Sequence, residues 1–122
     1  MATVRDIMSR DLVTVEPSAT VAEAATLMGG RGVGSALVLE GGSPAGISTE
    51  RDVLRALGSD FDAAHHPVAD WMTHDPLTVE ADVHVATARD LMLGRGFRHL
   101  PVTEGGVLVG IVSLRDLSSR AD

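Results

Sequence analysis

Two hydroxyl–carboxylate pairs are the residues best placed to do chemistry. Thr49 stands three positions before Asp52, and Ser113 three positions before Asp116. Both pairs follow an apolar run, Gly46-Ile47-Ser48 and Gly110-Ile111-Val112, and both precede a helical pattern. The run predicts a short strand that turns directly into a helix near Ser113, and its copy near Glu50. Such a turn gathers unpaired backbone N–H groups at the positive end of a helix dipole, which suits an anion such as phosphate. A carboxylate one turn into the helix can accept hydrogen bonds from the diol of a ribose. A nucleotide carries both features. The same spacing is also a capping box, in which hydroxyl and carboxylate satisfy the first amides of the helix and no ligand is needed.

Something must position those turns, and the chain supplies it twice. A shift of 64 residues aligns its two halves without a gap: Thr14-Val15-Glu16 meets Thr78-Val79-Glu80, Gly30-Arg31-Gly32 meets Gly94-Arg95-Gly96, and Arg51-Asp52 meets Arg115-Asp116. Roughly two in five positions are identical, well above chance for an ungapped shift. Each copy reads strand, helix, strand, strand, helix. In the first, Leu12–Val15 is a strand and Thr20-Val21-Ala22-Glu23 a capping box opening a helix. That helix stops at Gly29-Gly30-Arg31-Gly32. Ala36–Leu39 and Ala45–Ser48 form a hairpin around Glu40-Gly41-Gly42-Ser43, and the last helix should bury Val53, Leu54 and Leu57. The second copy repeats this order, ending in a helix over Leu114–Ser119. The expected fold is α+β, a tandem pseudo-twofold repeat of βαββα units, with residues 1–57 as the first repeat, 58–67 as a linker and 68–122 as the second. Neither repeat could bury much core alone, so the two are expected to pack as one module with equivalent turns at a cleft between them.

Composition narrows the function. With 122 residues and a net charge of −7, the chain is no generic binder of nucleic acid or anionic membrane. Its basic residues are all arginine, and it has no cysteine, so thiolate chemistry and disulfides are excluded. No apolar run approaches bilayer-spanning length, and the opening residues do not look like a signal peptide; a cytoplasmic protein is expected.

The ordered set Asp-x-Met-Ser/Thr, Thr-Val, Leu-Met, Arg-Gly and Gly-Ile-x-Ser/Thr-x-x-Asp, met twice between Val4 and about Leu117, resembles a pair of CBS domains, also called a Bateman module. The resemblance implies a regulatory module, not an enzyme, that binds AMP, ADP, ATP or S-adenosylmethionine without a tightly bound cofactor. It also implies a homodimer acting on a protein target the sequence does not identify. By position, Asp52 and Asp116 match the family's ribose-binding aspartate, and Thr49 and Ser113 the hydroxyl beside it. Thr14 and Thr78 lie where adenine is usually clamped, and Arg98 and His99 where basic residues reach phosphate. Gly34 and Ser35 hold the latter two positions in the first repeat, so the two pockets are expected to be unequal.

The other candidates carry less. Arg31 and Arg95 end helices, where a cation meets the negative dipole end. Arg51 and Arg115 sit in a first turn beside the aspartates, equally consistent with a ligand or subunit contact and with a solvated surface. His65-His66 lacks metal-ligand spacing, and Trp71, at the position matching Ile7, reads as a packing or dimer contact and not as a ligand-stacking residue. Gly29-Gly30-Arg31-Gly32-Val33-Gly34 ends a helix instead of opening one, so it is not a dinucleotide fingerprint. No P-loop, HExxH or nucleophile elbow is present. The remaining alternative is an interaction module whose turns are caps and whose cleft is empty.

Overall fold

The computed structural model describes residues 2–118, so Ser119, the expected end of the closing helix, lies outside them. The elements follow the doubled order predicted. The first copy comprises helix α1 (Val4–Ile7), strand β1 (Thr14–Val15), helix α2 (Val21–Arg31), the hairpin of β2 (Ser35–Glu40) and β3 (Ser43–Thr49), and helix α3 (Glu50–Ser59). Two 3-10 turns follow, Phe61–His65 and Val68–Asp70, and then β4 (Thr73–His74). The second copy runs through β5 (Val79–Glu80), α4 (Val85–Arg95), the hairpin of β6 (His99–Glu104) and β7 (Val107–Ser113), and α5 (Leu114–Ser118).

Local chemistry accounts for the boundaries. Thr20 caps α2: its hydroxyl accepts the Glu23 N–H at 3.0 Å. Gly32 ends that helix in the left-handed region at φ 66°, where a side chain would be strained. In each hairpin both central glycines have positive φ, Gly41 and Gly42 in one and Gly105 and Gly106 in the other, as a type I′ turn requires. β5 starts one residue later than β1 for a simple reason. Leu37 donates its N–H to the Val13 carbonyl at 2.8 Å, but Pro101 stands at the matching place and has no N–H to give.

The chain forms two compact units, and their limits are offset from those of the repeats. The first is Val13–Pro76; the second joins the residues up to Leu12 to those from Leu77 on. In the first unit the sheet order is β1-β2-β3-β4, with β1 parallel to β2 and the other pairs antiparallel. Its core gathers Val13, Ala24, Met28, Ala36, Val38, Val68 and Met72. The second unit has the sheet β5-β6-β7, and Ser9 bridges Ile111 on the β7 edge. Val4 is fully buried there among Val85, Met92, Leu100, Val102, Val112 and Leu117. So Val4 from the first copy packs in the second unit, while its counterpart Val68 packs in the first. Each contributes about 1.5–3 kcal/mol of burial.

Two close approaches mark this exchange. Gly46 on β3 faces the Met72 side chain, and Gly110 on β7 faces the Met8 side chain and the Ser9 carbonyl. One expectation needs correction here. On α3 the buried positions are Asp52 and Ala56, while Leu54 is 73% exposed and Leu57 44% exposed. The segment after α3 is also structured, since Ala63 in its first 3-10 turn is fully buried.

A methyl group added at Gly110 would lie 2.9 Å from the Ser9 backbone oxygen, whereas the atoms nearest to one at Gly46 belong to the flexible Met72 side chain. Gly110→Ala is therefore expected to destabilise the protein by about 1–3 kcal/mol, and Gly46→Ala by less, as read from urea unfolding midpoints.

Candidate functional site

In the first unit β3 delivers its last residue, Thr49, as the N-cap of α3. The Thr49 hydroxyl accepts the Asp52 N–H at 3.2 Å, and the Asp52 carboxylate accepts the Thr49 N–H at 3.0 Å. Asp52 is only 6% exposed. Its second oxygen lies 3.4 Å from a guanidinium nitrogen of Arg55, one turn further along α3. The helix mouth is tied to β2, because Glu50 donates its N–H to the Gly34 carbonyl at 3.1 Å and Ser35 pairs with Thr49. Gly34 and Ser35 are thus the residues that flank this mouth.

The second unit builds the same turn from β7 into α5. The Ser113 hydroxyl accepts the Asp116 N–H at 3.1 Å, and the Asp116 carboxylate accepts the Ser113 N–H at 3.0 Å. Here the flanking residues are basic. Leu114 donates its N–H to the Arg98 carbonyl at 2.8 Å, and His99 pairs with Ser113 across the hairpin. The antiparallel register therefore brings Arg98-His99 beside Ser113-Asp116, although His99 and its partner Ser113 are 14 positions apart in the chain. Arg98 and Arg115 are exposed, and His99 is half-buried.

Thr14 pairs with Leu37, which pairs in turn with Ile47, so Thr14 shares a row of the sheet with the residue two before Thr49. Thr78 precedes β5 and is not in the ladder; both threonines are exposed. Each turn thus unites a hydroxyl and a carboxylate, and in the second unit two basic residues as well. Both boxes are closed by their own hydrogen bonds. A carboxylate has room for about four such bonds and a hydroxyl still has a proton to donate, so a closed box can also meet a ligand.

The sequence reading missed Arg55 and gave Trp71 too small a part. Besides approaching Asp52, Arg55 donates to the Trp71 carbonyl at 2.9 Å and lies 5.6 Å over the centre of the indole. The Trp71 indole N–H donates to His66 Nδ1 at 3.2 Å. The Asp52/Arg55 spacing of three on a helix was the available signal. Among the described residues no cluster of three histidine or acidic side chains could hold a metal ion, and no helix is long and apolar enough to cross a membrane.

These features define an α+β module made of two strand–helix–hairpin–helix copies, each with a capped turn at its last helix. The profile of the CBS domain matches residues 4–59 and 68–121, and the chain belongs to that family. An uncharacterized 17.7 kDa protein of Acidianus ambivalens is 43% identical over 97% of this chain and 73% of its own length. A crystal structure of a CBS-domain containing protein of Agrobacterium tumefaciens superposes with a TM-score of 0.88 at 32% identity, covering 97% of this chain and 98% of the other. A CBS domain protein of Pyrobaculum aerophilum, solved complexed with AMP, gives 0.88 at 28% identity, covering 98% and 93%.

The caps make a prediction independent of ligand. Thr49→Ala and Ser113→Ala should each cost about 0.5–2 kcal/mol in urea unfolding, as Thr20→Ala should at the α2 cap. Thr49→Ser should recover most of the loss.

Proposed function

We propose that this chain is a regulatory module that binds an adenosine-containing ligand, AMP, ADP, ATP or S-adenosylmethionine, at its strand-to-helix turns and carries out no reaction on it. Asp116 and Asp52 accept the ribose hydroxyls. Ser113 and Thr49 contact ribose or phosphate, Arg98, His99 and Arg115 contact phosphate, and Thr14 and Thr78 flank the adenine. The observation that carries this reading is the hairpin register that sets Arg98-His99 against Ser113. The AMP complex of the Pyrobaculum aerophilum relative supports the ligand class. The missing basic pair at Gly34-Ser35 makes the Ser113–Asp116 turn the stronger of the two.

Calorimetry against AMP, ATP, NADH and S-adenosylmethionine tests this. Asp116→Asn leaves an oxygen for the cap but removes the charge. It should weaken adenosyl binding by roughly 10-fold to 150-fold, the worth of a charge-assisted hydrogen bond. Asp52→Asn should weaken it less. No heat with any of the four ligands would refute the reading.

The completeness of both caps without a ligand favours one other reading, a protein-interaction module with nothing bound. A thermal-shift panel separates the two, because a ligand held only by the folded state must raise the melting temperature.

The reading includes a homodimer. Leu54, Leu57 and Phe61 are all exposed, Phe61 fully; the spacing of three puts Leu54 and Leu57 on one face of α3, and Phe61 opens the 3-10 turn that follows. Beside them Ala25, Met28, Val33 and Val53 line an open apolar groove of about 320 Å³. A second copy of the chain is the proposed cover, by a self-complementary contact. Leu54→Glu combined with Phe61→Glu should give a monomer by light scattering where the wild type gives a dimer.

A further inference from the structure

The side chains around Asp52 form an unbroken path away from the α3 turn. Asp52 approaches Arg55 at 3.4 Å, Arg55 grips both the carbonyl and the ring face of Trp71, and the Trp71 indole donates to His66. His66 Nδ1 must be the unprotonated nitrogen to accept that bond, and His66 Nε2 lies 3.8 Å from the Asp60 carboxylate. The His66 carbonyl accepts the Val21 N–H at 3.0 Å, and Val68 donates to the Ala19 carbonyl. The path therefore ends in a segment hydrogen-bonded to the start of α2. The second copy does not reproduce it: Ile7 and Ala2 stand where Trp71 and His66 would be.

Resting on the reading that Asp52 meets the ribose, we propose that Arg55 is the positioning residue of the α3 turn and couples the state of the Asp52 carboxylate to Trp71 and the Phe61–Asp70 segment. The geometry gives the reason. Asp52 is almost wholly buried, with one oxygen fixed by the Thr49 N–H, so Arg55 is the group that steadies the other oxygen. A ribose hydroxyl that donates to that oxygen shares its negative charge with Arg55 and loosens a contact already long at 3.4 Å. Arg55 then rebalances toward the Trp71 carbonyl, which already holds it at the shorter distance of 2.9 Å. Ligand at this turn is thereby read out at the far end of the unit's chain, in the segment that follows α3.

Trp71 is the chain's only tryptophan, so its emission reports on the path without a label. Asp52→Asn, with no ligand present, should displace the Trp71 emission maximum in the wild-type background and leave it in place in the Arg55→Ala background. Arg55→Lys, which keeps the cation but not the planar fork, should give an intermediate displacement. Circular dichroism of each variant confirms that it is folded, and Arg55→Lys decides the matter if Arg55→Ala is not. Equal displacement in all backgrounds, or none in any, overturns the coupling. With AMP added to Asp116→Asn, which leaves the Asp52 turn as the intact site, the emission should follow the calorimetric isotherm, and adding Arg55→Ala should hold the emission still while heat remains. Heat in Asp116→Asn without an emission change overturns the coupling. No heat in the wild type refutes the ligand reading alone, and the ligand-free comparison still decides the coupling.

Discussion

A methionine lying against a bare α-carbon is the contact on which the architecture depends. Gly46 and Gly110 leave room on the returning strands, and Met72 and Met8 fill it. The repeat shift of 64 would pair Gly46 with Met8 and Gly110 with Met72 if each copy were self-contained. The structure pairs them the other way. Val4, Met8 and Ser9 complete the second unit, and Val68, Met72 and Thr73 the first. A flexible thioether suits this place, since it can follow the pleat closely where a branched side chain would clash.

The capping boxes hold the candidate site together in the same economical way. A helix that starts directly from a strand leaves its first amides without partners. Thr49 with Asp52, and Ser113 with Asp116, supply them. The cap fixes the carboxylate rotamer, so the group that stabilises the helix is the same one proposed above to meet the ribose. On that proposal hydroxyl and carboxylate are doubly constrained, and a substitution there changes folding and binding together.

Most of this was legible in the residues because the signals were local. Glycine pairs gave the hairpins, Thr20 and Glu23 the start of α2, and the doubled hydroxyl–carboxylate spacing the two turns. The contacts that escaped notice are long-range or depend on context. Periodicity put Leu54 and Leu57 on an inner face of α3, but the buried stripe is Asp52 and Ala56, because the carboxylate belongs to the cap and not to solvent. The late start of β5 hinged on Pro101, a residue on a neighbouring strand. Which unit receives an opening segment cannot be read from an alignment of the two repeats, since both pairings match the shared positions equally well. Trp71 looked like packing because its partners, Arg55 and His66, approach it from 16 residues and five residues away.

The crossed openings also speak to ancestry. A half-length progenitor, with one copy of the motif, would have lacked a buried valine and the strand that covers its sheet edge unless a sibling chain lent them. With the crossed pairing seen here, two short polypeptides would have lent these segments to each other, and fusion of their genes would have turned that partnership into a single inheritance. The tie between Arg55 and Trp71 has no counterpart in the other copy, where Ile7 stands at the position of Trp71, so the twins have since diverged in sequence at this place.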